Sequence, residues 1–536
     1  MTDTVPSEIL WGTEVRRRQE GIPFLQYEPR RRSLPALLED AHRWARRDHL
    51  VQGERRISFE KCLAAVDAVA ADLRQRGIGP GSVVLLVAAN SPEWVVSFWA
   101  VSRTGAIIAP GNGWWSEEEV DHVLGLIKPA LVIGDPKRLA KVTDGGAVAT
   151  LDVSEIRTLV DAARAGDSPA APGGPAPNEV EEAPAVIVFT SGTTGFPKGA
   201  TLPHRSVIAN LHDLLAVAGR LPHQLDPERP GNVSLLTGPL FHIGGIQSMT
   251  MGLVGGNTLV FLEGRFDPVE VLDLIEREQV TIWGGVPTMA RRVIEHPSME
   301  GRDLSSLRSV SLGGAPVPPD LIGRLGEAFP NARRGVSTVY GMTEAGGTVA
   351  AAGGKLMAEH PGTSGRPGNM VDLRIADPDA DGVGEVLVRT PGQMLGYWAD
   401  GGASAATVDD DGFLHTGDLG RVEDGLLFIT GRSKDVIIRG GENIAAPHVE
   451  AVLVEHPDVV EAGVVGLPHE DFGEEVAAAV ILREGAELSD VEVHCRSRLA
   501  HFEVPTRWWI RTEALPTNDA GKLDKRTLRK MWPAGE

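Results

Sequence analysis

The stretch Thr190-Ser191-Gly192-Thr193-Thr194-Gly195-Phe196-Pro197-Lys198-Gly199 gathers hydroxyls, glycines and one lysine into ten consecutive positions. Glycine lets backbone N–H groups turn toward an anion with no Cβ in the way. The hydroxyls of Ser191, Thr193 and Thr194 can donate hydrogen bonds, and Lys198 supplies charge. This is the chemistry of a loop that grips a polyphosphate. It is not a Walker A loop, which needs Gly-Lys followed directly by Ser or Thr, whereas Pro197 precedes Lys198 and Gly199 follows it. Taken alone, such a stretch also reads as a surface turn. The apolar run Ala185-Val186-Ile187-Val188-Phe189 before it predicts a buried strand, so the loop leaves a strand end, where open α/β sheets hold their ligands.

Four further motifs follow in order: Tyr340-Gly341-Met342-Thr343-Glu344, Thr416-Gly417-Asp418, Gly431-Arg432-Ser433-Lys434-Asp435 and Pro516-Thr517-Asn518-Asp519-Ala520-Gly521-Lys522. With the loop, they make the chain resemble the adenylate-forming enzymes, which comprise acyl-CoA synthetases, luciferases and nonribosomal adenylation domains. The resemblance runs from about Ser33 to Lys530. It implies ATP-dependent activation of a carboxylic acid to acyl-AMP with pyrophosphate release, then transfer to CoA, with fatty or aryl acyl-CoA ligases as the nearest branch. An amide-forming ligase passing the acyl group to an amine, or loading of a carrier-protein thiol, shares the same first half-reaction.

Making an acyl adenylate brings two anions together, so the residues that matter are those that offset repulsion. The resemblance assigns Lys198 and loop residues Thr190 to Gly195 to the phosphates. It assigns Glu344 with Thr193 or Thr194 to Mg²⁺, a hard cation that takes oxygen ligands. Tyr340 offers an aromatic face for adenine. The resemblance places Gly313, Gly314, Ala315 and Pro316, with Thr338, Gly341, Met342 and Thr343, on that side of the nucleotide site, while Tyr340 and the 313–316 segment taken alone also read as ordinary packing. Asp418 can bridge the ribose hydroxyls, with the Arg432 fork beside it. Lys522 corresponds to the lysine that holds the carboxylate and α-phosphate, and Lys434 to the hinge. Without that context Glu344 reads as an exposed helix-start carboxylate, Asp418 as part of a common turn and Lys522 as solvated surface.

His242, in Pro239-Leu240-Phe241-His242-Ile243-Gly244-Gly245, matches a position beside the acyl pocket, although a lone histidine in an apolar stretch also reads as core. Adenylation domains for α-amino acids usually carry an aspartate there, to pair with the substrate ammonium. His242 is a poor replacement, and Gly244, Gly245, Gly284, Gly285, Gly341 and Met342 leave room for an apolar or aromatic acid lacking that amine. Arg439, Gly440, Gly441 and Glu442 resemble the loop lining the pantetheine channel. Just beyond it Ala446 and His448 depart from the usual residues, and Pro447 is displaced by one position.

The elements that must carry these residues alternate strand-length apolar runs with amphipathic helical stretches, the sign of stacked α/β layers. Ser82 to Ala89 reads as a strand, Pro92 opens a helix to about Arg103, and Gly105 to Ala109 starts another strand. Residues 163–184, rich in Ala, Pro and Gly, read as a surface connection. From Val436 the pattern changes to that of a small α+β lobe, giving a large multi-lobed amino-terminal domain over 1–432 and a small carboxy-terminal domain over 433–536. The resemblance implies that this small domain is mobile.

A chain of 536 residues accommodates about three or four domain-sized units. With 52 Lys+Arg against 73 Asp+Glu the net charge is −21, which disfavours nonspecific nucleic-acid binding. Cys62 and Cys495 lie far apart, outside any disulfide framework or metal motif. The first ten residues lack a secretory pattern and the apolar runs are too short to span a bilayer, so a cytoplasmic protein is expected. The triplets Arg16-Arg17-Arg18 and Arg30-Arg31-Arg32 offer at most weak contact with an anionic membrane and read first as solvated faces. A homodimer stays open.

Overall fold

Local patterning is strong at Val83–Val87, where five consecutive apolar residues are all buried. Ser91 then caps the helix Pro92–Thr104 by accepting the Trp94 N–H, and Gly105, at φ 80°, ends it in the left-handed region. Ile107–Pro110 returns parallel to Val83–Val87. That helix is buried all round, its apolar residues in the core and its Glu93 and Arg103 paired with Arg55 and Glu39. It packs in the main core with Val84 and Leu86 from one sheet and Leu50, Ile57, Leu259 and Phe261 from another. The computed structural model describes residues 10–143, 145–166, 181–191, 196–315, 317–440, 442–518 and 522–533.

The first sheet runs, edge to edge, through Gly396–Tyr397, Pro197–Pro203, Pro184–Ser191, Ile107–Pro110, Val83–Val87, Leu131–Gly134 and Ala149–Asp152. Its last five strands are parallel. Pro197–Pro203 and Gly396–Tyr397 add antiparallel at the edge. The second sheet has nine strands, in the order Arg366–Pro367, Gly347–Gly353, Val336–Met342, Ser309–Gly313, Ile282–Gly285, Val233–Leu236, Thr258–Phe261, Asp48–Gln52 and Arg55–Ser58. A four-stranded antiparallel sheet, Asp372–Ala376, Gly384–Arg389, Leu414–Glu423 and Leu426–Arg432, completes the large domain.

The small domain has its own sheet, ordered Glu442–Ala445, Val436–Arg439, Gly473–Leu482 and Val459–His469, with Arg507–Ile510 parallel to Gly473–Leu482. A separate core forms beneath it from Ile437, Ile444, Val449, Leu453, Val476, Val480 and Val491. The chain is thus an α/β protein with a large amino-terminal domain and a smaller carboxy-terminal one. Cys62 and Cys495 are both free and buried. Among the described residues no helix is long and apolar enough to cross a membrane. The arginine triplets are largely engaged in ion pairs within the chain: Arg17 with Asp372, Arg18 with Glu182, Arg30 with Glu181 and Arg31 with Asp40.

Candidate active site

Pro184–Ser191 and Pro197–Pro203 pair as an antiparallel hairpin with Lys198 opposite Thr190, so the lysine sits on the return strand. A Cβ at Gly199 would come within 2.7 Å of Ile187 Cγ2, so only glycine fits this crossing. The expectations placed on Gly192, Thr193, Thr194, Gly195, Pro316 and Gly441 lie outside the described residues. Alongside the hairpin runs a strap, 394–400, tied by Leu395 N–H to Thr201 O (2.8 Å) and Trp398 N–H to Gly199 O (2.7 Å). It delivers two side chains. Asp400 Oδ2 lies 3.3 Å from Lys198 Nζ, and the Tyr397 ring lies below that ammonium at 5.4 Å. The Ala403 N–H and then Lys198 hold the Asp400 carboxyl below the usual carboxylate range.

The Tyr397 hydroxyl donates to Glu344 Oε1 at 2.8 Å. Glu344 is only 9 % exposed and sits in the turn between Val336–Met342 and Gly347–Gly353, so no helix starts there and the exposed-cap reading fails. The turn is held from behind. Met394 N–H donates to Glu344 O at 2.9 Å, Asn210 Nδ2 donates to Thr348 O at 2.9 Å, and Gln247 Nε2 reaches Thr348 Oγ1 at 3.3 Å. Among the described residues no group of three His, Cys, Asp or Glu could hold a metal. A single carboxylate with one oxygen given to Tyr397 and one left to offer fits a Mg²⁺ that arrives with phosphate oxygens.

On the four-stranded sheet, Asp418 accepts from Tyr340 OH on Oδ2 (2.7 Å) and from Arg432 Nε on Oδ1 (2.9 Å). Burial, and then the Asp418 charge, push the Tyr340 phenol well above its ordinary value. Asp418 itself is buried, with its N–H donating to Thr416 Oγ1 at 3.1 Å. Thr338 is buried on the Tyr340 strand. Lys522 comes from the small domain and lies over Gly314, whose left-handed backbone (φ 79°) leaves the space it occupies. An ideal Cβ at Gly314 would fall 2.9 Å from Lys522 Cε. Burial and the Arg432 charge lower the Lys522 ammonium below the usual lysine value, with Asp418 opposing them. The domains also meet through Arg291 Nη1 and Val460 O at 2.9 Å.

His242 is the N-cap residue of Ile243–Gly255, and its Nε2 is buried with no partner among the described residues. Burial, reinforced by the Lys522 charge, pushes the imidazole down to about 4, so it is neutral at physiological pH. Asn90 fixes the approach to it, donating to Gly238 O at 2.8 Å and accepting Leu240 N–H at 3.0 Å. Phe241 stacks at a tilt on His242, and the half-exposed Trp114 meets Phe241 edge-on. The glycines nearby differ in what they do. Cβ positions at Gly244, Gly284 and Gly285 have no heavy atom closer than 3.6 Å, so these leave space. At Gly245 and Gly341 a Cβ would strike backbone at 2.4 Å and 2.1 Å, so their small size serves packing. Met342 lies half-buried at the end of the Tyr340 strand, with Thr343 opening the turn after it.

Arg439 donates to Phe502 O at 2.9 Å and lies over Phe472 at 5.2 Å, so in this arrangement its contacts are within the small domain. Gly440 turns at φ 61° and Glu442 pairs with Arg439 across the hairpin. Pro447 occupies the first turn of the helix Ala446–Glu455, which suits its missing N–H, and His448 lies 3.9 Å from Glu503. Sequence reasoning did not find Tyr397, Asp400, Asn90 or Gln247. Its only signal for the first two was a Gly-Tyr-Trp-Ala-Asp-Gly run that looks like any turn.

A hairpin lysine beside a partly exposed carboxylate, a Tyr-Asp-Arg cluster and a second lysine reaching in from a small domain gather charged and hydrogen-bonding groups where the two domains meet. The chain belongs to the AMP-binding enzyme family: residues 37–398 match the family model of the AMP-binding enzyme and residues 448–522 that of its C-terminal domain. It is similar to a feruloyl-CoA synthase of an Amycolatopsis species, 32% identical over 499 residues that cover 90% of this chain and 95% of that one. An indoleacetate–CoA ligase of Aromatoleum aromaticum is likewise 32% identical, over 89% of this chain and 94% of its own. Among solved structures, an amide bond synthetase from Marinactinospora thermotolerans superposes with a TM-score of 0.79 at 29% identity, covering 92% of this chain and 99% of that one.

Proposed function

We propose that the acid this enzyme activates is apolar, carries an aromatic or comparable ring, and has no amine beside its carboxylate. The reaction is ATP-dependent conversion of a carboxylic acid to acyl-AMP with release of pyrophosphate, then transfer of the acyl group to CoA, an AMP-forming acid–thiol ligation. The observation that carries the acid's class is His242, neutral and without a partner on Nε2 among the described residues, beside Phe241 and with open space at Gly244 and Gly284. Among the described residues, the one charge acting on His242 is that of Lys522, so a substrate ammonium there would be repelled rather than paired. Similarity to enzymes for feruloyl and indoleacetyl groups supports a ring-bearing acid.

In this reading Lys198 and the hydroxyls of the 190–195 loop hold the β- and γ-phosphates. Tyr340, Thr338 and the 313–316 segment flank adenine, Asp418 takes the ribose hydroxyls, and Lys522 spans the carboxylate and α-phosphate. Glu344 and a loop threonine would hold Mg²⁺, which would supply positive charge to offset that of the phosphates. Rotation about Lys434, between 1–432 and 433–536, then withdraws Lys522 and brings Arg439 to Glu442 toward the acceptor. The test is to incubate the protein and MgATP with aryl, fatty, alicyclic and α-amino acids, adding CoA, an amine, a carrier protein or nothing. Mass spectrometry should show aryl thioesters forming fastest. Fastest turnover of a straight-chain or amino acid overturns the acid assignment, and amides formed while CoA is ignored overturn the acceptor.

A further inference from the structure

The Lys198–Asp400 pair puts a negative charge where incoming phosphates need a positive one. Asp400 works with both oxygens. Oδ1 accepts the Ala403 N–H at 2.9 Å as the cap of Gly401–Thr407, and Oδ2 meets Lys198 Nζ at 3.3 Å. The carboxylate cannot swing far, because its strap is hydrogen-bonded to the lysine's own strand at Gly199 and Thr201 and the cap fixes its near oxygen. Lys198 can move, since its ammonium rides on a flexible four-carbon stem. Both groups are partly exposed, and such pairs are weak. Among the described residues, the other groups shown near this ammonium are the Tyr397 ring and, through the Tyr397 hydroxyl, Glu344.

We propose that Asp400 is a displaceable counter-ion of Lys198: it holds the ammonium in the empty site, yields it to the polyphosphate of ATP, and recaptures it as pyrophosphate leaves. The idea rests on Lys198 being a phosphate ligand. Asp400 then weakens ATP and pyrophosphate by the same factor, and what it gains is product release. It is a positioning residue that touches no reacting atom.

Asp400→Asn tests this, because the amide oxygen still caps Gly401–Thr407 while the charge is gone. Measure the ATP KM of acyl-AMP formation, the pyrophosphate inhibition constant and the AMP inhibition constant in wild type, D400N, Lys198→Ala and the double variant. The ATP KM and the pyrophosphate constant should both fall about three- to fivefold in D400N, with the AMP constant unchanged, as loss of a screened charge pair implies. In the K198A background the same substitution should shift either constant less than twofold. A rise or no change in either constant for D400N overturns the proposal, as does an equal effect with and without Lys198. If K198A itself leaves ATP and pyrophosphate binding at wild-type values, the phosphate role of Lys198 is what fails.

Discussion

Gly314→Ala would probe the placement of Lys522 with a single methyl group. Gly314 adopts φ 79°, and an ideal Cβ there lies 2.9 Å from Lys522 Cε and 3.4 Å from Nζ. Carbon–carbon contacts settle at about 3.5–4.0 Å, so the lysine must retreat by roughly 0.6–1 Å. Alanine in the left-handed region adds about 1 kcal/mol of strain to the fold. A misplacement of that size in a group that aligns reactants costs on the order of a hundredfold. Pyrophosphate release from ATP and acid should therefore fall by about that factor, while thioester formation from supplied acyl-AMP stays near wild type and the melting temperature drops only a few degrees. In a Lys522→Ala background, where the adenylation rate is already low, adding Gly314→Ala should cost less than about threefold more. If Gly314→Ala leaves adenylation intact, or if its full penalty persists without Lys522, the lysine does not act from the position over Gly314.

Two further expectations follow from buried groups. Tyr397→Phe removes the donor to Glu344 Oε1, a hydrogen bond to a charged group of the kind worth roughly 1.5–3 kcal/mol. Adenylation kcat/KM should fall about tenfold or more and the half-saturating Mg²⁺ concentration should rise; an unchanged Mg²⁺ dependence would show that the tyrosine does not position Glu344. His49, His204 and His212 are each held near 4 by burial, against 6.5 for a free imidazole. As pH falls below 6.5 the unfolded chain takes up these protons first, so stability present above 6.5 is lost progressively toward pH 4, by about 2 kcal/mol per histidine at pH 5. The apparent melting temperature should drop clearly between pH 7 and pH 5, and a flat profile would refute the burial argument.

Short-range information was legible in the amino-acid string. The apolar run at 83–87, the Ser91 cap and Gly105 mark a strand, a helix and its stop because each signal lies within one turn of the element it controls. The order of the motifs along the chain, and the change of pattern near Val436, likewise pointed to an α/β enzyme with a small second domain. What was not legible depends on the register between distant strands. Asp400 meets Lys198 across 202 residues because Gly396–Tyr397 pairs with the strand that carries the lysine, and the Tyr397 hydroxyl reaches Glu344 across 53. Gly284 and Gly341 look alike as letters, yet one faces open space and the other the backbone of Gly347. Glu344, which reads as an exposed cap when taken alone, is buried because the turn carrying it is folded under the same strap. Local propensity sets which element forms, but a side chain's partner and the direction of a missing Cβ are set only when the sheets pack.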